Sequence, residues 1–224
     1  MMEKNRRTFL KSAVGSSIGL GTISAFSGQV EAARTTLEVG LHKPDMSNPT
    51  TVDYTIKVNT TDCRKEGKAD SNDHLSKDYN QGETTIHGTL QPGYWDSFSH
   101  NGLINKASFI PRSNTLEVLK IKQSGYISQN PEGAMDVTSY SSDFISTCEF
   151  WTSLWVAAGG DGTIEDGVEH GNTRDAAHDN YGRSRTVDGG HDHFDITGQF
   201  TKINMTSPLG NSPLTFTVDW GERW

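Results

Sequence analysis

Two histidines, His191 and His193, stand one residue apart near the end of a 224-residue chain. Alternate side chains of a β-strand share a face. The spacing therefore sets both imidazoles on one side with Asp195, and turns Asp192, Phe194 and Ile196 to the other. Two imidazoles on one strand face form half of a site for Zn, Cu, Mn or Fe. His170 and His178 stand just upstream as candidate further ligands, among Asp161, Glu165, Asp166 and Asp175. Residues 161–167 offer carboxylate and carbonyl oxygens suited to Ca²⁺, but lack the order of an EF-hand loop. The competing reading is a pair of hydrated surface histidines and an acidic turn.

The His-x-His strand resembles that of cupins, which are also β-sandwiches, but no glutamate follows three or four residues after His193. Aromatic residues suggest a second chemistry. Tyr94, Trp95, Trp220 and Trp224 are candidates for stacking on sugar rings, whereas Trp151 and Trp155 fit core and sheet-edge packing. Catalytic signatures are missing from the sequence: it has no Gly-x-Ser-x-Gly, no glycine-rich phosphate loop and no catalytic cysteine motif. Carboxylates are too many to single out a glycosidase pair. The expectation is a non-enzymatic protein that is either a structural or matrix component or a carbohydrate binder. The alternative is a metal-binding protein or metalloenzyme built on the histidine strand. Its partners would be carbohydrate, or further copies added at exposed strand edges.

The elements that would position these residues read as strands. Val52-Asp53-Tyr54-Thr55-Ile56-Lys57-Val58 alternates apolar and polar without a break. Thr35–Val39, Thr84–Leu90, Leu103–Ile110, Thr115–Ile121 and Pro213–Trp220 follow the same habit. Residues 60–82 are charged and read as a long surface loop. Gly93 to Lys106 aligns with Gly189 to Lys202, matching Gly93 with Gly189, Asp96 with Asp192, Phe98 with Phe194, Gly102 with Gly198 and Lys106 with Lys202. This predicts an internal duplication, with one repeat over about 33–121 and the other over about 122–224. Phe150–Val156 would stand where Val52–Val58 stands, and Gln123–Gly133 would link the repeats. Shared residues then serve the fold: the aspartates as turn caps, the phenylalanines as core, the glycines as turns. Residues that differ, such as Trp95, Ser97 and Ser99 against His191, His193 and Asp195, are free for function. The fold expected is all-β, a two-sheet antiparallel, jelly-roll-like sandwich; the alternative is two Ig-like sandwiches in tandem.

Composition agrees with many turns and short elements: 23 glycines, 33% hydrophobic residues and no helical heptads. The net charge is −8. Without residues 1–32, which hold Lys4, Arg6, Arg7, Lys11, Glu3 and Glu31, 16 basic and 26 acidic residues remain, a net charge of −10. No run of basic residues offers the stripe that phosphate binding needs, so nucleic acid is not an expected partner. Cys63 and Cys148 either form one long-range disulfide or stay apart as buried thiols.

Arg6-Arg7-Thr8-Phe9-Leu10-Lys11 precedes an apolar, glycine-rich run, Ala13 to Phe26, and small residues around Val30-Glu31-Ala32. The run is too short for a membrane span. The segment resembles a twin-arginine export signal over residues 1–32, leaving a mature β-sandwich over 33–224 that is not an integral membrane protein. Together with the acidity and with strands of the Val-Asp-Tyr-Thr-Ile-Lys-Val type, it makes the chain similar to the exported β-rich proteins of halophilic archaea. That resemblance implies an extracellular or cell-surface location and a β-fold.

Overall fold

A computed structural model describes residues 34–42, 51–112, 117–125, 131–139, 146–158, 176–186, 191–207 and 213–221. All lie in one compact unit, Ala32–Trp224. The described residues form sixteen strands and no helix. In the first half these are β1 (Thr35–His42), β2 (Val52–Val58), β3 (Cys63–Lys65), β4 (His74–Asp78), β5 (Glu83–Leu90), β6 (Trp95–His100), β7 (Ile104–Pro111) and β8 (Glu117–Ser124). In the second they are β9 (Glu132–Ser139), β10 (Ser146–Thr152), β11 (Trp155–Ala158), β12 (Ala176–His178), β13 (Tyr181–Thr186), β14 (His191–Thr197), β15 (Phe200–Ser207) and β16 (Leu214–Trp220).

Two antiparallel sheets of eight strands pack as a sandwich. The first runs β12-β13-β10-β15-β8-β1-β6-β3 and the second β11-β14-β9-β16-β7-β2-β5-β4. Within the first half β1 pairs with β8, β2 with β7, β3 with β6 and β4 with β5. This is the nested pairing of a long hairpin folded over itself, as in a jelly roll. In the second half β9 pairs with β16, β10 with β15, β11 with β14 and β12 with β13. Every strand thus has an equivalent eight places on, in the opposite sheet. The halves join twice, β8 to β15 and β7 to β16. Both sheets therefore run through both halves, which selects the single sandwich over two tandem Ig-like ones.

The alternation of β2 carries over to the structure: Val52, Tyr54, Ile56 and Val58 are buried and the residues between them are not. Inward phenylalanines dominate the second half. Phe150 meets Phe194 and Phe200 edge-on, with centroids 5.0 and 6.0 Å apart, and Phe200 packs on Phe216 at 5.4 Å. Burying each such ring is worth about 1.5–3 kcal/mol. Gly182 lies under the Phe150 ring, where a Cβ would come within 2.1 Å of it. Only glycine leaves room for the ring at that cross-strand position.

Three expectations need correction. The strand after the midpoint is Ser146–Thr152, not Phe150–Val156, because its inward residues Ser146, Cys148 and Thr152 are small. A turn at Ser153-Leu154 then sends Trp155–Ala158 to the other sheet. The expected linker, Gln123–Gly133, ends inside β9, whose inward positions hold only two large apolar residues, Met135 and Val137. The charged stretch 60–82 contains β3 and β4, edge strands of three and five residues.

Candidate functional site

The corner between β5 and β6 is shaped by Gln91-Pro92-Gly93-Tyr94. Tyr94 N–H donates to Gln91 O at 3.1 Å, and Gly93 takes a φ of 83°. Proline then glycine at the centre of such a turn is the type II pattern. Gly93 N–H also donates to Leu41 O at 2.9 Å, which ties the corner to β1. The turn leaves Tyr94 64% exposed and lays the Trp95 ring flat over Gly40, where a Cβ would come within 2.4 Å of the indole.

Opposite the corner, residues 65–73 form a tightly bonded loop. The Asp70 carboxylate accepts from the backbone N–H groups of Asn72 (2.7 Å) and Asp73 (3.3 Å), and Asp73 accepts from Asp70 N–H at 2.7 Å. Glu66 N–H and Lys68 N–H donate to Ser97 O and Oγ, docking the loop on β6. Between corner and loop lies a cleft of about 470 Å³, lined by Lys68, Asp70, Asn72, Gln91, Tyr94, Trp95 and Asp96.

Asp96 forms the floor. It is 4% exposed, and Tyr54 Oη donates to its Oδ2 at 2.8 Å. Tyr54 Oη also lies 3.4 Å from Asp73 Oδ1. Burial and the neighbouring Asp73 push the Asp96 carboxyl up to about 7, and burial raises Asp73 as well. Two carboxyls packed together cannot both ionise cheaply, so the pair gives up its last proton only near neutral pH. Asp96 therefore caps no turn; it is an interior acid. Burial and both carboxylates push the Tyr54 phenol well above its ordinary range.

The histidine strand matches its expected orientation: His191, His193 and Asp195 face outward on β14, while Asp192, Phe194 and Ile196 are buried. The two imidazole centroids are 5.0 Å apart, and His193 Nδ1 lies 3.6 Å from Asp136 Oδ1 on β9. His178 sits in the other sheet, against Tyr181 at 5.2 Å and beside Asp179. Among the described residues no group of three or more His, Cys, Asp or Glu is placed to hold a metal ion. His170, Trp224 and the acidic segment 161–167 lie outside the described residues.

Of the stacking candidates, Tyr94 and Trp95 come together at the cleft. Trp220 does not join them. It is half-buried against Phe200, its Nε1 donating to Ile104 O at 3.1 Å, and it packs over Gly133. Gly198 is a turn glycine with a φ of 87°, whereas Gly102 is required for space, its Cβ position lying 2.7 Å from Asn59 Oδ1. Sequence reasoning missed Asp70, Asn72 and Asp73 and the partnership of Tyr54 with Asp96. Tyr54 did give a signal, since an inward tyrosine hydroxyl in a clean strand demands a buried acceptor.

The outer faces of the sheets differ in charge. On the six central strands of the first sheet, Lys120, Lys122, Lys202, Arg183 and Arg185 face outward against Glu38 and Glu149. On those of the second, Asp53, Glu83, Glu132, Asp136, Asp195 and Asp219 face outward against Lys57 and Lys106. Basic residues scattered along the sequence thus gather on one face through strand pairing. No helix of the described residues is long and apolar enough to cross a membrane.

No known protein family, curated protein or solved structure significantly matches this chain.

Proposed function

We propose that this is an exported, non-catalytic glycan-binding protein, and that the cleft between Tyr94-Trp95 and the 66–73 loop is its binding site. The observation that carries this reading is the cleft itself. An exposed tyrosine and a tryptophan immobilised on glycine line it together with Asp70, Asn72 and Lys68, whose ammonium pairs with Glu38 at 2.6 Å. Sugars are bound by this combination, ring faces stacking on aromatics while hydroxyls bond to polar groups. The cleft rests on bonded turns and two continuous sheets, so little freedom is lost on binding.

Other features favour binding over cleavage. Glycoside hydrolysis needs two carboxyls free to act on either side of one bond. Here the Asp70 carboxylate is engaged by two backbone donors, and Asp96 is buried with Tyr54 and Asp73. The edge strands β3, β12, β11 and β4 are three, three, four and five residues long. Such short edges are poor templates for strand addition, which favours the glycan over self-assembly.

A glycan array probed with residues 33–224 tests the reading, beside a Tyr94→Ala/Asn72→Ala variant. Binding to one or more glycans, reduced at least tenfold in the variant with an unchanged melting curve, is the expected result. An array with no bound glycan would remove the reading. Export rests on the twin-arginine resemblance. Replacing Arg6 and Arg7 by Lys should trap the precursor inside the cell.

The second reading places a divalent ion on β14 and is favoured by the 5.0 Å approach of the His191 and His193 rings beside Asp136. Metal analysis of the purified protein and of its His191→Ala/His193→Ala variant decides it. Stoichiometric metal lost in the variant supports this reading, and metal-free protein ends it.

A further inference from the structure

Lys122 on β8 and Lys202 on β15 are directly cross-strand partners in the first sheet. Like charges in that position repel, and sheets disfavour them. Each ammonium is also held in place. Lys122 Nζ lies 4.7 Å from the Trp95 ring centroid, and Lys202 Nζ 4.1 Å from that of Trp151, its own neighbour on β10. A recess of about 280 Å³ opens between them, lined by both lysines with Glu38, Gln123, Ser124 and Thr201. Lys120 extends the cationic row two residues along β8.

Glu38, cross-strand to Lys122 on β1, is the carboxylate of the recess and is already paired with Lys68 at 2.6 Å, so an anion placed between the lysines adds counter-charge to the row. Trp95 belongs both to this row and to the cleft described above. From Trp95 on β6 to Trp151 on β10 the sheet order passes four strand spacings, roughly 19 Å. That is room for several sugar rings lying across the strands.

We infer that the ligand of the cleft is an acidic polysaccharide, whose chain runs from Tyr94-Trp95 over Lys122 and Lys202 to Trp151. The inference rests on the glycan reading of the cleft. Carboxylates carried at successive rings pair with the lysines, and the indoles keep each ammonium positioned for them. The aromatic surfaces contact the ring faces between charges. Nucleic acid is the less suitable polyanion. The second sheet's outer face and the protein as a whole are negative, and the five basic residues of the first sheet's outer face are interrupted by Glu38 and Glu149.

The test uses residues 33–224 with three probes: polygalacturonate, the same polymer fully methyl-esterified and therefore uncharged, and a single-stranded oligodeoxynucleotide. Polygalacturonate is expected to bind at least tenfold more tightly than the ester in 0.1 M salt, and to lose that advantage near 1 M, where the Debye length falls to about 3 Å. Lys122→Gln/Lys202→Gln should bring polygalacturonate down to the level of the ester without weakening the ester. Its melting temperature should hold or rise, because the cross-strand repulsion is gone. Tyr94→Ala should weaken both polymers. Equal affinity for acid and ester overturns the inference and leaves the cleft reading standing. Binding of neither polymer by the unaltered protein, with none on the array, overturns both. An oligonucleotide bound more tightly than polygalacturonate, and released by the lysine double variant, overturns the inference in favour of a nucleic-acid surface.

Discussion

On β6 the inward residues are Asp96, Phe98 and His100; on its equivalent β14 they are Asp192, Phe194 and Ile196. The middle position is the same in both halves and both rings are fully buried. On either side the halves diverge. Asp96 receives the Tyr54 hydroxyl, whereas β10 brings the buried thiol of Cys148 to the position equivalent to Tyr54. His100 is matched by Ile196. The two halves thus share a strand pairing but not a chemistry. Tyr54, Asp73 and Asp96 meet at the cleft in the first half, while the second half packs phenylalanine on phenylalanine. The shared phenylalanine belongs to the core alone, whereas the shared aspartate lines a cleft only in the first half, where Tyr54 and Asp73 meet it.

The largest effect should fall where the halves agree. Phe98→Ala and Phe194→Ala each leave a ring-sized cavity in a sealed core, costing about 3–5 kcal/mol. Urea unfolding should show both losses in one cooperative transition, because the sheets are continuous through β8–β15 and β7–β16. Two separate transitions would break the comparison by making each half its own folding unit.

The pH dependence of stability sharpens it. Burial pushes the Asp96 carboxyl up to about 7 from an ordinary 3.8, so the folded state holds its proton more tightly than the unfolded one. That contribution is complete below about 3.8 and is lost as pH rises towards 7. Burial pushes the His100 imidazole down to about 4 from 6.5, so its contribution is present above 6.5 and lost as pH falls towards 4. Between pH 4 and 6.5 the two slopes oppose, and the unaltered protein should show a weaker pH dependence there than either group alone would give. His100→Ile, which borrows the side chain of Ile196, removes one slope. The variant should then gain stability as pH falls from 7 to 4, by up to about 1.4 kcal/mol per unit. A further Asp96→Asn change should reduce the gain to what Asp73, also raised by burial, contributes. A flat profile in His100→Ile would mean that Asp96 takes up no proton in this range.

Tyr54→Phe is a smaller disturbance. It removes one buried donor shared by two acids, at a cost of about 1–2 kcal/mol. That donor favours the charged carboxylate, so its loss should carry the Asp96 slope to still higher pH. Denaturant midpoints at pH 5 and 8 measure it, with the larger loss expected at pH 8.

The sandwich was legible because alternation in β2, β5, β7 and β16 follows directly from inward and outward faces, and Asp-x-Phe recurs at β6 and β14. Strand β9 was not legible, because strand propensity rests on packing partners and its own inward face is half glycine and serine. Tyr94 and Trp95 were recognisable as stacking candidates from residue type. Their partners were not, since Asp70 and Asn72 lie more than twenty residues away and are brought near only by bonds between the loop and β6. The basic row was hidden for a related reason. Lys120, Lys122 and Lys202 alternate with apolar residues along two strands that pair only after folding.

The two cysteines give the smallest expected effect and the last comparison between the halves. Both lie in the first sheet, Cys63 on β3 and Cys148 on β10, with four strands between them. Five strand spacings amount to roughly 24 Å, far beyond the ~7 Å within which two Cα atoms can be bridged. The thiols are free, and of the two expectations for them the unbonded one is correct. Reducing agent should leave the melting temperature unchanged, and neither thiol should react quickly in the native protein, because burial raises both well above neutral pH. Their slow reactions should differ. Cys63 lies on a three-residue edge strand, which can open locally. Cys148 is enclosed between β13 and β15 and needs disruption of the sheet. Labelling with a maleimide over hours, followed by peptide mass analysis, should therefore modify Cys63 first, with Cys148 reacting only at the rate of global unfolding. Equal rates at the two sites would mean that both open through the same event, and that the edge of the first half is as firmly held as the interior of the second.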